Sequence, residues 1–329
     1  MHIDIHSHVI PQRVVTAIEA DPKQFRARIE GDGAARKMVH AQGYVYPLSA
    51  EFHRPEAKLE AMDRKGIDIS VISPAPPMFC YWADADAALE LAALVNDGVA
   101  DMVATKPSRL RGMAIVPMQH PDAAVAELER VVKAYNFKAV EIGTSIEGAQ
   151  LAEERFRPLL RRASELGVFV FAHPYYVSAK AGLEAYYLTN LIGNPLDTTV
   201  MLANLMFSGR LDELPDLKLV LAHGGGFLPY QIGRLVHGHK VRAEAKKITR
   251  SSPKDLLKQV YFDSLVFEPQ ALRYLIDLVG ADHVCIGTDA PFDMADDNPR
   301  ATIECVPGIS EQECACVRCG TALKLLRET

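Results

Sequence analysis

The sequence has little that would indicate a secreted, membrane-bound or nucleic-acid-binding protein. Six cysteines in 329 residues are too few for a disulfide scaffold, and a reducing compartment would keep them as thiols. No stretch approaches the ~20 apolar residues of a membrane span, and the first residues lack the features of a signal peptide. The 36 Lys and Arg against 42 Asp and Glu give a net charge of −6, so no basic surface for nucleic acid or anionic lipid is indicated. We therefore expect a cytoplasmic protein whose partner is a small molecule.

A regular alternation of short and long segments runs along the chain. Short β-branched runs recur, and each is followed by a segment with helical spacing of apolar residues. The predicted strands are residues 2–5, 67–72, 110–116, 139–142, 168–172, 218–222, 260–263 and 284–287. The predicted helices are residues 56–65, 87–104, 122–135, 153–165, 197–208, 228–237, 269–279 and 311–326. The repeat predicts an α/β fold, a closed (β/α)₈ TIM barrel that forms a single domain over residues 1–329.

An open, doubly wound sheet is the alternative to a barrel. The Gly-rich turn that would mark a dinucleotide site after the first strand is absent, and His6-Ser7-His8 stands there instead. Two stretches, 11–54 and 174–195, interrupt the alternation. In a barrel they would be inserted loops after strands one and five, on the face where barrel enzymes carry their active sites.

Histidines and an aspartate close four of the predicted strands. His6 and His8 end the first strand, His173 the fifth, His223 the sixth and Asp289 the eighth. In a barrel these ends meet at one mouth, and two residues that are two positions apart on a strand point to the same side. Each residue alone has an ordinary explanation as a buried histidine, a turn aspartate or a loop residue. Their coincidence at four strand ends predicts a divalent metal site, because imidazole and carboxylate are the usual ligands of Zn²⁺ and similar ions.

Several motifs carry a family resemblance that runs nearly end to end. They are Ile-Asp-Ile-His-Ser-His at 3–8, Ala-His-Pro at 172–174, His-Gly-Gly-Gly at 223–226, Phe-Asp-Ser at 262–264 and Gly-Thr-Asp-Ala-Pro-Phe at 287–292. The chain resembles the amidohydrolase superfamily, in the branch of 2-amino-3-carboxymuconate-6-semialdehyde decarboxylase and the related aromatic-acid decarboxylases.

The resemblance implies a role for each residue at the strand ends. His6, His8, His173 and Asp289 match the ligands of one divalent metal, Zn²⁺ or alternatively Mn²⁺. His223 matches a catalytic base that does not bind the metal, and Asp289 also serves in proton transfer. The resemblance further implies a homodimer in which Arg234 reaches the neighbouring active site.

The chain departs from family patterns in two places. Binuclear members carry a carboxylated lysine at the end of strand four, where this chain reads Val-Glu-Ile-Gly at 140–143, so one metal is expected. The decarboxylase that names the branch has an Arg-Pro pair after strand one, where this chain has Tyr46-Pro47. Tyrosine cannot give a carboxylate the charged, bidentate contact of arginine, which disfavours the muconate semialdehyde as substrate unless Arg54 or Arg13 replaces it.

Aromatic residues supply further candidates for substrate binding. Phe79 and Trp82 follow the second strand and would line either an aromatic-acid pocket or the core. The complete substrate-binding set is Arg234, Tyr46, Phe79, Trp82, Tyr175 and Phe292. The cysteines at 314, 316 and 319 lie in a predicted helix without a fourth ligand, so no second zinc site is expected.

The resemblance implies a metal-dependent, non-oxidative decarboxylase of an aromatic or ring-cleavage-derived carboxylic acid, without an organic cofactor. Such an enzyme would belong to the catabolism of aromatic compounds. The same residues also suit a metal-dependent hydrolase or hydratase that attacks an ester, lactone, amide or C–C bond, and this alternative stays open. A metal-dependent sensor without catalysis would leave His223 and Arg234 without a role.

Overall fold

Eight parallel strands form the centre of the computed structural model, which describes residues 1–175 and 181–328. In chain order they are β1 (Ile3–Val9), β2 (Ile69–Pro74), β3 (Leu110–Ile115), β4 (Ala139–Gly143), β5 (Phe169–His173), β6 (Leu219–Leu221), β7 (Val260–Asp263) and β8 (Val284–Cys285). Each strand pairs with the next one along the chain. Parallel bridges from Asp4 to Ile286 and from Ser7 to Ala290 join β1 to the end of β8. The sheet therefore closes, and the predicted (β/α)₈ barrel is confirmed.

Helices surround the barrel, and all eight predicted strands lie within a few residues of the observed ones. The helices are α1 (Gln12–Ala20), α2 (Ala50–His53), α3 (Pro55–Lys65), α4 (Ala85–Thr105), α5 (Pro121–Tyr135), α6 (Arg157–Leu166), α7 (Asn194–Phe207), α8 (Arg210–Glu213), α9 (Leu228–Val241), α10 (Pro253–Leu257), α11 (Pro269–Val279), α12 (Pro299–Glu304), α13 (Glu311–Ala315) and α14 (Thr321–Leu326). The last predicted helix is divided by a π-helical turn, Cys316–Gly320. Within the described ranges, none of the helices combines the length and the apolar character of a membrane span.

The two inserted segments follow β1 and β5, as predicted, but the first is not an irregular loop. It contains α1, α2 and a three-stranded antiparallel sheet formed by Ala27–Glu30, Lys37–His40 and Val45–Pro47, which we call the insertion sheet. Its strands of three or four residues are too short for an alternation that can be recognised in the sequence. The second segment includes the π-helical turn Thr189–Gly193, and residues 176–180 of the predicted loop lie outside the described residues.

The barrel interior has two layers. The lower layer is an apolar cluster that includes Ile3, Ile5 and Phe169 and is closed from below by α14 through Leu325 and Leu326. The upper layer consists of the polar side chains at the carboxyl ends of the strands. On β1 the change from one layer to the other coincides with an irregularity between Asp4 and Ser7, where β1 carries one residue more than its partner strand. Because of this bulge, the side chains of His6 and His8 face the barrel interior, as those of Ile3 and Ile5 do in the lower layer.

Candidate metal centre and active site

Four buried side chains converge at the barrel mouth. His6, His8, His173 and Asp289 each offer one ligand atom, and these atoms lie within 4.8 Å of one another. The Nε2 atoms of His6 and His8 are 3.1 Å apart and lie 3.3 and 3.1 Å from Oδ1 of Asp289. The structure thus brings together the four residues that the family resemblance implies as ligands, and it forms the group from β1, β5 and the chain after β8.

Two ligand atoms of this group fit a cation because they are buried and face the other members. Within the part of the chain that the structure describes, Nε2 of His173 has no hydrogen-bond partner, and Oδ1 of Asp289 lies against the imidazoles of His6 and His8. Nδ1 of His173 donates to the carbonyl oxygen of Pro174 at 2.9 Å, so Nε2 keeps its lone pair. Burial holds the pKa of His173 well below its usual range and lowers that of His8 to about 4. Both imidazoles are therefore neutral, which is the form that binds a metal.

His6 is held between two carboxylates. Its Nδ1 donates to Oδ2 of Asp263 at 2.7 Å, and Asp289 lies beside its Nε2. Burial opposes the charged form of His6, but Asp289 and Asp263 outweigh it and raise the pKa to about 10. The two buried carboxylates thus require a positive charge at this point, which either a proton on His6 or a divalent cation supplies. In protein metal sites, the ring nitrogen of histidine that does not bind the metal often donates to a carboxylate, and this hydrogen bond fixes the orientation of the ring.

Asp263 links the ends of β1, β6 and β7. Besides His6, it accepts hydrogen bonds from the backbone N–H groups of His223 at 2.9 Å and Gly224 at 2.7 Å. The close packing needs a glycine at 287, because a Cβ there would lie 2.6 Å from Cβ of Asp263 and 2.9 Å from Cβ of His6. Asp263 therefore positions the ring of His6 and the backbone of His223 together.

His223 stands beside the four ligand candidates rather than among them. It begins the turn after β6 with a φ of 56°, and its Nε2 lies 3.6 Å from Oδ2 of Asp289. Its side chain is 16% exposed, whereas those of His6 and His8 are fully buried. The glycine run behind it is required by close packing, because a Cβ on Gly226 would lie 2.1 Å from the carbonyl oxygen of Pro195. This placement is consistent with a base that reaches the substrate without binding a metal.

Lys58 is a buried residue near the site that the sequence prediction did not include. Its side chain is 1% exposed, and Nζ donates to the carbonyl oxygens of His8 and Ala290, both at 3.3 Å, and to Glu51 at 3.4 Å. Lys58 thus joins the two chain segments that carry His8 and Asp289. A signal was present in the sequence, since Lys58 lies on the same face of α3 as the buried Ala61 and Met62.

Glu141 is a second missed residue, at the strand end where only a lysine was sought. It is fully buried on β4, and its Oε1 lies 4.0 Å from Nδ1 of His8. Neither carboxyl oxygen has a hydrogen-bond partner among the described residues, and burial raises the pKa to about 8. No lysine occupies this end of β4 (139–143), so the structure provides no residue there that could become a carboxylated lysine.

A cavity of about 520 Å³ opens directly onto the four-residue group. His173 and Asp289 form part of its wall, and Tyr46, Tyr175 and Phe292 line it as the sequence predicts. Aromatic rings continue from the metal group into this wall, since the ring centroid of Phe292 lies 5.3 Å from that of His8. The cavity therefore places apolar, ring-shaped surfaces next to the ligand candidates.

Phe79 and Trp82 are not among the described residues that line the cavity, and both pack against the apolar core, so their part in substrate binding stays a prediction. Phe79 is buried and stacks on Tyr81 with a centroid distance of 5.2 Å. The guanidinium of Arg26 covers one face of the ring of Trp82 at 4.4 Å from its centroid.

The candidate arginines also lie outside the described cavity wall. Arg13 pairs with Asp97 and Asp101, and Arg54 is exposed before α3. Neither therefore replaces the family arginine at the Tyr46 position within one chain. Arg234 is exposed on α9.

Comparison with known proteins agrees with this geometry. A family model described as amidohydrolase matches residues 3–327. The 2-amino-3-carboxymuconate-6-semialdehyde decarboxylase of Dictyostelium discoideum is 30% identical over 328 residues, which cover 99% of this chain and 91% of that protein. The gamma-resorcylate decarboxylase of a Polaromonas species is 30% identical over 258 residues, 73% of this chain and 78% of that protein.

The fold is shared with solved structures as well. A dihydroxybenzoic acid decarboxylase from Polaromonas, with bound manganese and the inhibitor 2-nitroresorcinol, superposes with a TM-score of 0.81 at 24% identity, covering 99% of this chain and 96% of that one. The chain therefore belongs to the amidohydrolase family. Within the superfamily it lies in the branch that contains the carboxymuconate-semialdehyde and resorcylate decarboxylases.

Proposed function

We propose that this protein is a metal-dependent, non-oxidative carboxy-lyase that decarboxylates an aromatic or ring-cleavage-derived carboxylic acid. The observation that carries the proposal is the buried group of four metal-ligand candidates within 4.8 Å, open to an aromatic cavity. The named activities of the relatives support it, since both are decarboxylases of this branch.

His6, His8, His173 and Asp289 would hold one divalent metal ion. Zn²⁺ is the expected ion, and Mn²⁺ is the alternative that the manganese-containing neighbour supports. When bound, such an ion supplies Lewis acidity to the substrate carboxylate and a neighbouring oxygen, or lowers the pKa of a water molecule. No organic cofactor is needed for this chemistry.

The chain's own residues handle the proton. Protonation of the carbon that bears the carboxylate breaks the conjugation of the ring, and the C–C bonding electrons return to the ring as CO₂ leaves. His223 is partly exposed and lies 3.6 Å from Asp289, so these two residues would deliver the proton, which remains on the ring carbon as its new C–H bond and is replaced from solvent before the next turnover. The backbone contact of His223 to Asp263 fixes the position from which its ring acts.

A second copy of the chain would complete the site. Helix α9 carries the exposed Arg234, and it presents Tyr230, which is 79% exposed, beside Tyr274 of α11 with ring centroids 6.4 Å apart. An exposed aromatic surface of this kind supports an interface in a homodimer, with Arg234 near the neighbouring active site. Activity should fall on dilution as dimers dissociate, and an unchanged specific activity down to the monomer would contradict this arrangement. The cytoplasmic location stays a prediction.

Metal analysis and a substrate panel test the proposed function. We expect one divalent ion per chain and release of CO₂ from hydroxybenzoates or muconate-like acids. A content well below one ion per chain would overturn the proposal. Acid or alcohol products from esters and lactones, without CO₂ release from the acids, would replace it with the hydrolase alternative.

A further inference from the structure

The cavity wall is nearly free of positive charge. Its described lining residues include no lysine or arginine, and the charged ones are Asp289 and Asp293. The remaining wall is formed by tyrosine, proline, phenylalanine and small polar residues from the insertion sheet and from the segments after β2, β5 and β8. A substrate carboxylate that lies away from the metal group therefore meets no cation on the described wall of one chain.

Tyr46 presents its ring to this cavity while its hydroxyl contacts the insertion sheet. The hydroxyl donates to Sδ of Met38 at 3.0 Å and lies 3.3 Å from Nε2 of His40. The ring packs edge-on against Phe292 at 5.7 Å and lies 6.0 Å from the ring of Phe52. Tyr46 thus forms an apolar wall element with a hydroxyl that is already engaged.

The group behind Tyr46 adds no charge. His40 is 2% exposed, and burial lowers its pKa to about 4. It is neutral near pH 7 and stacks on Tyr46 with a centroid distance of 6.0 Å. The neutral pair stands where the family resemblance places an arginine, so the substrate contact at this point changes from ionic to apolar.

Tyr46 is also connected to the metal group through contacting rings. Phe292 lies 5.3 Å from His8 on one side and 5.7 Å from Tyr46 on the other. A ring that binds with its carboxylate at the four-residue group and extends along Phe292 would therefore contact the ring of Tyr46.

We propose that Tyr46 determines specificity by selecting aromatic acids with one carboxylate and an uncharged far side. A second carboxylate against the described part of this wall would lose its hydration without gaining a cation from its own chain, and the carboxylate of Asp293 would repel it. The inference rests on the proposed decarboxylase function, which it sharpens to monocarboxylic ring substrates.

Three related acids test the inference: salicylate, 5-methylsalicylate and 5-carboxysalicylate. With metal-loaded protein, both kcat/KM from CO₂ release and Kd from a binding titration are measured. We expect the 5-methyl acid to be favoured over the 5-carboxy acid by about 100-fold, because an unpaired buried carboxylate is strongly disfavoured. Tyr46→Arg should reduce this ratio at least about tenfold by lowering KM and Kd for the diacid, since arginine pairs with carboxylates.

Three further variants serve as controls. Tyr46→Phe keeps the ring and should leave the ratio within about twofold, because the hydroxyl contacts Met38 and His40 of the insertion sheet. Arg234→Ala should weaken the binding of both substituted acids by the same factor if Arg234 contacts the reacting carboxylate. The ratio between the two acids should therefore again stay constant. Asp293→Asn should improve diacid binding by about threefold through loss of repulsion, and it tests the wall without changing Tyr46.

Equal use or equal binding of the two substituted acids by the unchanged protein would overturn the inference. So would equal effects of Tyr46→Phe and Tyr46→Arg, or no binding of any of the three acids. A preference in binding without CO₂ release from any acid would contradict the proposed function and leave the selectivity of Tyr46 supported. CO₂ release without a preference between the two substituted acids would support the proposed function and contradict the selectivity of Tyr46.

Discussion

The two layers of the barrel interior are built on the same strands and differ in almost every physical property. Tyr261 of the lower layer is followed two positions later by Asp263, and Phe171 is followed by His173. Residues two apart share one face of a strand, so these two strands pass from an apolar layer to a polar one by simple alternation, whereas β1 does so through its bulge. The lower layer stabilises the fold through burial of apolar surface, whereas the upper layer holds the groups that carry the proposed chemistry.

The upper layer also contains buried polar groups that are only partly paired, whereas the lower layer is an apolar cluster. Asp263, Asp289 and Glu141 bring three carboxyl groups into a buried space with imidazoles whose nitrogen atoms are only partly paired. Buried polar groups of this kind cost stability unless they are paired. Functional sites often carry such a cost, and the packed layer below offsets it.

The largest expected effect follows from removing a ligand of the upper layer. His8→Ala should abolish binding of the divalent ion and lower kcat/KM by at least about a thousandfold, because metal binding and catalysis depend on the same atoms. Metal content and CO₂ release are measured together. A variant that keeps one ion per chain would show that His8 is not a ligand.

His223→Ala should separate catalysis from metal binding. We expect kcat to fall by about 10²–10⁴, the contribution of a positioned acid or base, while one ion per chain remains. His283→Ala, just before β8 at the opposite end of the barrel, is the control and should keep full activity. Loss of the ion in His223→Ala would place His223 among the ligands instead.

The lower layer should respond in the opposite way. Phe169→Ala removes a fully buried ring and should reduce the free energy of unfolding by about 3–5 kcal/mol. Denaturant unfolding measures the loss, and the metal content of the folded variant should stay at one ion per chain. A parallel loss of metal would mean that the two layers are coupled more tightly than their separate contacts indicate.

The sequence predicted the strands and the meeting of the strand ends for a definite reason. Buried parallel strands are β-branched runs bounded by turns, and closure of the barrel then brings His6, His173 and Asp289 to one mouth. It did not predict the β1 bulge, because alternation from Ile3 and Ile5 alone would place His6 on the outer face. One extra residue in β1 decides the orientation of both histidines, and no residue type marks it.

Packing also decides what the sequence left open for Phe79 and Trp82. The ring of Trp82 is covered by Arg26, which directly precedes the first strand of the insertion sheet, whose short strands leave no pattern. Phe79 is likewise placed by packing against Tyr81 and not by its distance from β2. Lys58 was the exception, since its place on the buried face of α3 could have been noticed in the sequence.

Removing the metal should change the free energy of unfolding through the upper layer and not through the lower one. An ion present at about 100 times its Kd should stabilise the folded protein by about 2.7 kcal/mol, and a chelator should remove that increment. Phe169→Ala should keep the increment, since distant sites add independently, and His8→Ala should lose it. Thermal unfolding with and without chelator measures it, and an increment retained in His8→Ala would point to an ion bound elsewhere.

The smallest effect concerns His40, which lies behind the wall of the cavity rather than in either layer. Its pKa is lowered by burial to about 4 in the folded protein, below the ordinary value of 6.5, so the unfolded chain binds more protons between these values. Stability from this group is therefore fully present above pH 6.5 and is lost as the pH falls towards 4. Compared with His40→Gln, the unchanged protein should lose about 1–2 kcal/mol more of its free energy of unfolding between pH 6.5 and 5. Denaturant titrations at both pH values measure the difference, and equal losses would mean that His40 accepts a proton in the folded state and that the wall behind Tyr46 is not neutral.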